Sequence, residues 1–231
     1  MILNCQINKK IYNTKAGNTL ILEDTEFKLE KNEIAGIVGN SGCGKTTLLQ
    51  IIGLIDSCDG YSEYWDGEVK FDFKNDSLFS EKAVNIKKNI GVIYQYHNLI
   101  PELSVLDNIM ISEKIHNPNS NPKELKQDTL KILSDLNLHD MTNKFPDELS
   151  GGQLQRVGIA RALIRKPKLI IADEPTGNLD EENANNFLKI IKNMPKNYNT
   201  SVVFVTHNKN FCSYFDKVYE IKKHKINLLT S

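Results

Sequence analysis

The stretch Ile34-Ala35-Gly36-Ile37-Val38-Gly39-Asn40-Ser41-Gly42-Cys43-Gly44-Lys45-Thr46 decides how this chain is read. Its first five residues form an apolar run that ends at a glycine, the pattern of a strand buried on both faces of a sheet. Its last eight fit G-x-x-x-x-G-K-S/T. From Lys45 to Ile55 the apolar residues Leu48, Leu49, Ile51, Ile52 and Ile55 have helical spacing, so the loop joins a strand to a helix. Glycines let such a loop curl until several N–H groups face one point, and the helix N-terminus adds partial positive charge there. Lys45 brings a full charge to outer phosphates, and the Thr46 hydroxyl is suited to Mg²⁺. A plain glycine-rich turn needs no Lys-Thr pair, so the stretch predicts a nucleotide-binding loop.

Upstream, Asn4–Tyr12 and Leu20–Leu29 alternate as strands, with turn chemistry at 15–18. Downstream, 56–66 reads as an irregular surface loop and Val69–Phe73 as an edge strand. Leu106–Ile115 and Glu124–Leu136 have helical periodicity, separated by a loop at Asn117–Pro122 that two prolines keep from being helical. Lys168–Asp173 is a strand, Asn183–Lys192 a helix and Ser201–Thr206 a strand, with a short strand and tail after it. The expectation is an α/β fold with a mostly parallel sheet, a β-rich N-terminal part and helices inserted over roughly 97–165.

Two further segments carry chemistry. Leu169-Ile170-Ile171-Ala172-Asp173-Glu174 is an apolar strand ending in two acids, and the C-terminal edge of a parallel sheet is where ligands sit. Asp173 is placed to hold Mg²⁺ and Glu174 to polarise an attacking water. Taken alone, Asp173-Glu174-Pro175 would be a solvated strand end; the loop upstream tips the reading toward function. Leu149-Ser150-Gly151-Gly152-Gln153 reads as a capped helix start in which Ser150 caps, the glycines turn and Gln153 begins a helix running to Arg165. Such a start is also a second phosphate site, and two sites for one nucleotide make sense when two chains face each other head to tail.

On these residues the chain resembles ATP-binding cassette (ABC) ATPases over nearly its whole length. The order matches: the loop at 39–46, Gln95 after a strand, Leu-Ser-Gly-Gly-Gln at 149–153, Asp173-Glu174, Gly177-Asn178-Leu179-Asp180, then His207 after a strand. The resemblance implies an ATPase with ATP and Mg²⁺ as cofactors, the residues 1–231 forming one ABC domain with a P-loop core sheet, an antiparallel β subdomain and a helical subdomain. ATP would lie on Gly39, Asn40, Ser41, Gly42, Cys43, Gly44, Lys45, Thr46 and Thr47, with the base stacked on Tyr12. In a homodimer, Ser150, Gly151, Gly152, Gln153 and Asp180 of the other subunit would cover it. Thr46, Gln95 and Asp173 would hold the metal; Glu174, His207 and Gln95 would serve catalysis. The segments Ile93–Leu103 and Asp173–Asp180 look like the branch represented by LolD, MacB and FtsE, with LolD nearest in length. That branch implies a peripheral subunit on the cytoplasmic face of the plasma membrane, coupled to a separate integral membrane permease. A regulatory, FtsE-like role and a soluble ATPase acting on ribosomes or nucleic acid stay open.

Two departures stand out. The 56–66 segment exceeds the family's usual link by about six residues, a length a surface loop tolerates; it reads as a self-packed loop or, more sharply, as a contact for a particular partner. Asn208 replaces the acid that commonly follows the histidine.

Composition fits this frame. The chain has 231 residues, with 29 Lys plus Arg against 29 Asp plus Glu, so its formal net charge is zero. That argues against a nucleic-acid partner, which needs a positive excess. No apolar run reaches bilayer length, and the N-terminal residues lack the long apolar core of a secretory signal. Cys5, Cys43, Cys58 and Cys212 have no paired spacing and read as free thiols of a reducing compartment.

Overall fold

A computed structural model describes the chain apart from Ala16, Asp66 and Ser231, with only the backbone of Thr230. Part of the 15–18 turn and the last residue of the 56–66 segment therefore lie outside the described residues. Strands β1 (Leu3–Thr14) and β2 (Gly17–Leu29) form an antiparallel hairpin, from Leu3 opposite Leu29 to Thr14 opposite Gly17, with one register shift between Lys10 and Ile11. Next come β3 (Ile34–Val38), α1 (Lys45–Ile52), β4 (Asp59–Tyr64), β5 (Val69–Asp72), α2 (Glu81–Lys87) and β6 (Ile90–Ile93). Three helices follow, α3 (Val105–His116), α4 (Pro122–Asp135) and α5 (Gly151–Leu163), before the chain returns to strands. These are β7 (Leu169–Asp173), β8 (Ser201–Thr206), β9 (Lys217–Lys222) and β10 (Lys225–Thr230), with α6 (Glu181–Tyr198) between β7 and β8.

Two sheets result. One is antiparallel, in the order β2-β1-β4-β5; the other runs β10-β9-β3-β8-β7-β6, parallel except for the β9–β10 hairpin. The pleat sends alternate side chains of the parallel strands into two different cores. Ala35, Ile37, Ile171, Val203 and Val205 pack with α1 and the antiparallel sheet. Ile34, Val38, Ile170, Ala172, Val202 and Phe204 pack with α3, α4, α5 and α6. Burial on both faces is why β3, β7 and β8 read as unbroken apolar runs. Gly36 is required in the middle of β3, because a Cβ there would lie 2.1 Å from the Phe215 ring.

Several expectations change. Residues 59–64 are an interior strand, not a surface loop: β4 pairs with β1 on one side and β5 on the other, and Tyr64 and Trp65 are in the core. Deleting them would remove a strand, so a deletion of 59–64 cannot separate a partner contact from a structural role. Gly60 hides the pattern, since a Cβ there would sit 2.1 Å from the Gln6 carbonyl oxygen. Helix α5 starts at Gly151, so the glycines lie inside its first turn. Pro122 opens α4 at its first position, where a missing N–H costs nothing, and only 117–121 is loop. Helix α1 ends at Ile52 and leaves Ile55 exposed, while α6 runs past Lys192 and through Pro195 to Tyr198, capped by left-handed Asn199.

Candidate functional site

The C-terminal ends of β3, β7 and β8 meet over a cavity of about 550 Å³. Its floor is the loop after β3, curled by Gly39, Gly42 and Gly44, whose φ angles of 157°, 77° and 108° are open to glycine. Gly44 is the N-cap of α1, and no side chain caps the helix. Lys45 is buried, its Nζ donating to the carbonyls of Gly39 (2.8 Å) and Asn40 (3.0 Å) and lying 3.5 Å from Glu174 Oε1.

Two carboxylates face this floor differently. Asp173 ends β7, and its Oδ1 accepts from the Thr46 hydroxyl at 3.2 Å. Burial pushes the Asp173 carboxyl above its ordinary range; the Thr46 hydrogen bond and the Lys45 ammonium offset part of this, while the charge of Glu174 adds to it. Glu174 takes a left-handed φ of 46°, fixed by its N–H donating to the Val205 carbonyl. That turn aims its carboxylate between Lys45 and His207, which contacts Glu174 Oε2 through Nδ1. Asn208 does not hold His207; it caps the following turn by accepting from the Asn210 N–H.

Gln95 follows β6 and lines the same cavity. Its carbonyl accepts from the Gln155 side chain at 3.2 Å, tying it to α5. Tyr12 lies in the cavity wall beside Ile21 and Thr47. Ile21 reaches it through a bulge: Lys10 pairs with Leu22 and Ile11 with Leu20, so Ile21 is the unpaired extra residue of β2.

The structure thus brings Tyr12, Ser41, Gly42, Gly44, Lys45, Thr46, Thr47, Gln95, Glu174 and His207 to one cavity, with Asp173 in contact through Thr46. Gly39, Asn40 and Cys43 complete the loop without lining the space. Ser150, Gly151, Gly152, Gln153 and Asp180 do not line it either. They form a second cluster, where Ser150 and Gln153 make a reciprocal capping box at the start of α5 and Asp180 caps α6. A Cβ on Gly152 would lie 2.5 Å from Asn183 Oδ1, and Asn183 is held by Asp180. Asn183 joins the two helix starts and was not foreseen, because a lone Asn in a helical run carries no distinguishing pattern. Lys10 and Asp56, behind Tyr12, were missed for the same reason.

A curled strand-to-helix loop with a buried lysine, facing a strand-end acid pair across a cavity, defines a P-loop nucleotide hydrolase. Residues 22–177 match the family described as ABC transporter, and the chain belongs to that family. It is 36% identical over 228 residues, 98% of this chain and 96% of the relative, to the lipoprotein-releasing system ATP-binding protein LolD of Buchnera aphidicola. To the LolD of Rickettsia bellii it is 38% identical over 216 residues, 93% of each chain. Among solved structures, a dimeric post-hydrolysis state of an ATP-binding cassette bound to ADP and Pi superposes with a TM-score of 0.84 at 29% identity, covering 100% of both chains. The chain is an ATP-binding subunit and ATPase of the ABC transporter type.

Proposed function

We propose that this ATPase drives a lipoprotein-releasing or closely related export machine, as a homodimer docked on a separate integral membrane permease at the cytoplasmic face of the plasma membrane. The observation that carries this reading is the near end-to-end similarity to LolD proteins. Among the described residues no helix is long and apolar enough to cross a membrane. Residues 1–231 act as one cassette, and the helical part over 97–165 moves with α5. Gln95, held by Gln155 of α5, links that movement to the cavity.

Inside the cavity the triphosphate of ATP replaces the loop carbonyls and Glu174 as partner of Lys45. The N–H groups of the loop and of the first turn of α1 meet the phosphates. Thr46, Asp173 and Gln95 fit Mg²⁺: all are oxygen donors, Thr46 and Asp173 already touch, and a buried carboxylate disfavoured as an anion gains most from a cation. Bound there, Mg²⁺ would supply positive charge to offset that of the phosphoryl oxygens. Glu174, fixed by the Val205 carbonyl, orients the attacking water and takes its proton. His207 holds the Glu174 carboxylate and lies at the phosphate end. Ser150 and Gly152 of the partner close the site.

Purification of a tagged Glu174→Gln chain from membranes of its own host tests both levels. ATP binding is retained and turnover falls by about 10²–10⁴-fold. A copurifying permease with a large extracytoplasmic domain supports the membrane-machine reading that LolD, MacB and FtsE share, and a lipoprotein-release phenotype then separates export from an FtsE-like regulatory role. Recovery with ribosomes or with a soluble partner overturns it and leaves the ATPase intact.

A further inference from the structure

Behind Tyr12 lies a network that the hydrolysis chemistry does not use. Lys10, two residues earlier on the same face of β1, has a side chain only 7% exposed. A buried ammonium is costly unless its donors are met. Here Nζ meets Asp56 Oδ2 and the Ser57 carbonyl, each at 2.7 Å, and stands 4.5 Å from the centroid of the Tyr12 ring. Asp56 Oδ2 also accepts from the Tyr12 hydroxyl at 2.7 Å, and that hydroxyl lies 3.4 Å from the Thr47 hydroxyl on α1. The ring is therefore gripped at its hydroxyl tip and covered on one face by Lys10. Tyr12 itself lines the cavity, in a wall shared with Ile21.

We propose that Lys10 and Asp56 are positioning residues that lock the Tyr12 ring as a preset platform for the base of the nucleotide, so that they govern affinity for the nucleoside and not for the phosphates. The proposal rests on the reading of Tyr12 as the base-stacking residue. The physical basis is preorganisation: a free tyrosine must give up its rotamer freedom when a base stacks on it, whereas a pinned ring has lost it already on folding. Asp56 is suited to the task as an anion. Burial pushes its carboxyl up, but hydrogen bonds from Lys10, Tyr12 and the Ser57 N–H outweigh this and hold it below the ordinary carboxylate range. Lys10 and Asp56 do not line the cavity, so they act through Tyr12 and not on the ligand.

The test compares ATP with inorganic tripolyphosphate, which has no base, by calorimetric Kd on the full chain, alongside KM and kcat for ATP. The variants are Asp56→Asn, Tyr12→Phe, which keeps the ring and loses its hydroxyl, and Tyr12→Ala. A double variant, Lys10→Met with Asp56→Leu, removes the pair without stranding a buried charge. Thermal melting confirms that each is folded. Asp56→Asn and Tyr12→Phe are expected to raise Kd and KM for ATP by about two- to ten-fold, the range of one immobilised side chain. The kcat of Asp56→Asn and every tripolyphosphate Kd should stay put. Equal weakening toward tripolyphosphate would show a general structural role and overturn the proposal. Unchanged ATP affinity in Asp56→Asn and Tyr12→Phe, with a loss in Tyr12→Ala, would also overturn it while sparing the platform. An unaltered ATP affinity in Tyr12→Ala would remove the platform itself.

Discussion

Helices α1 and α5 both begin at glycine-rich segments, and both present the N–H groups that every helix start leaves unpaired. They resolve that deficit in opposite ways. Helix α1 has no side-chain cap and no acid in its first turn, and its entry at Gly44 is left-handed. Helix α5 is closed on itself: Ser150 Oγ accepts from the Gln153 N–H at 3.4 Å, and Gln153 Oε1 accepts from the Ser150 N–H at 2.9 Å. The first start is built to be completed by an anion in the same chain. The second is stable alone and can wait for a partner. The cap leaves room for the role proposed for Ser150 across the dimer, because its hydroxyl acts as an acceptor in the cap and still has a proton to give a phosphate oxygen.

Breaking the first start has the largest expected effect. Lys45→Ala removes the charge held over the loop, and ATPase activity should fall by about 10²–10³-fold or more, with ATP affinity lost in a binding titration. Gly44→Ala comes next. It forces a side chain into φ 108° with its Cβ 2.9 Å from Ile21 Cγ2. A cost of about 1–3 kcal/mol in denaturant unfolding is expected, together with loss of nucleotide binding. The second start should respond differently. Ser150→Ala should cost about 1 kcal/mol of stability and Ser150→Gly only a few tenths. If the hydroxyl also serves the facing nucleotide, both should lose ATPase activity alike, so stability and activity separate. Equal activity of Ser150→Gly and the parent chain would mean that the cap is the hydroxyl's whole role.

Asp173→Asn sharpens the comparison with the smallest effect on the fold. The Asp173 carboxyl is raised in the folded protein, so the unfolded chain releases its proton first. The stability this group contributes is therefore complete at acid pH and lost as pH rises through the raised value. Once ionised, the carboxylate is a net burden on the ligand-free chain. Asp173→Asn should raise the melting temperature slightly at neutral pH, with the difference shrinking as pH falls through the carboxylate range, while hydrolysis is lost. A lowered melting temperature at neutral pH would contradict the burial of that charge.

The parts legible in the sequence share one cause: a strong, local physical demand. Strands β3 and β8 lie where their apolar runs end, since burial on both faces leaves no polar position to blur them. The loop at 39–46 is readable because glycine φ angles and a Lys-Thr pair are tied to adjacent positions. Strand β4 was hidden because its partners on β1 lie 50 or more positions away and its exposed face mixes Asp59, Tyr61 and Glu63. Helix α2 is short and its Ser80 cap sits in a polar stretch, so nothing in its spacing stood out. In the site, residues that face one cavity from separate loops could be ordered only through the family resemblance. The Lys10–Asp56 pair and Asn183 could not, since their significance comes from what the fold brings beside them.

The place of β3 in its sheet has a consequence for the order of synthesis. This strand carries the phosphate loop, yet its two neighbours are β8 and β9, made from residues 201–206 and 217–222. While the chain grows on the ribosome, β3 therefore has both edges open until almost everything else has emerged. Pairings this distant in sequence are slow, and unpaired apolar strands are the segments most exposed to aggregation. A nascent chain stalled before residue 201 would contain every residue of the phosphate loop and still lack the sheet that seats it. ATP-binding competence is thus conferred late, by strands made from residues 201–206 and 217–222, on a loop written at 39–46.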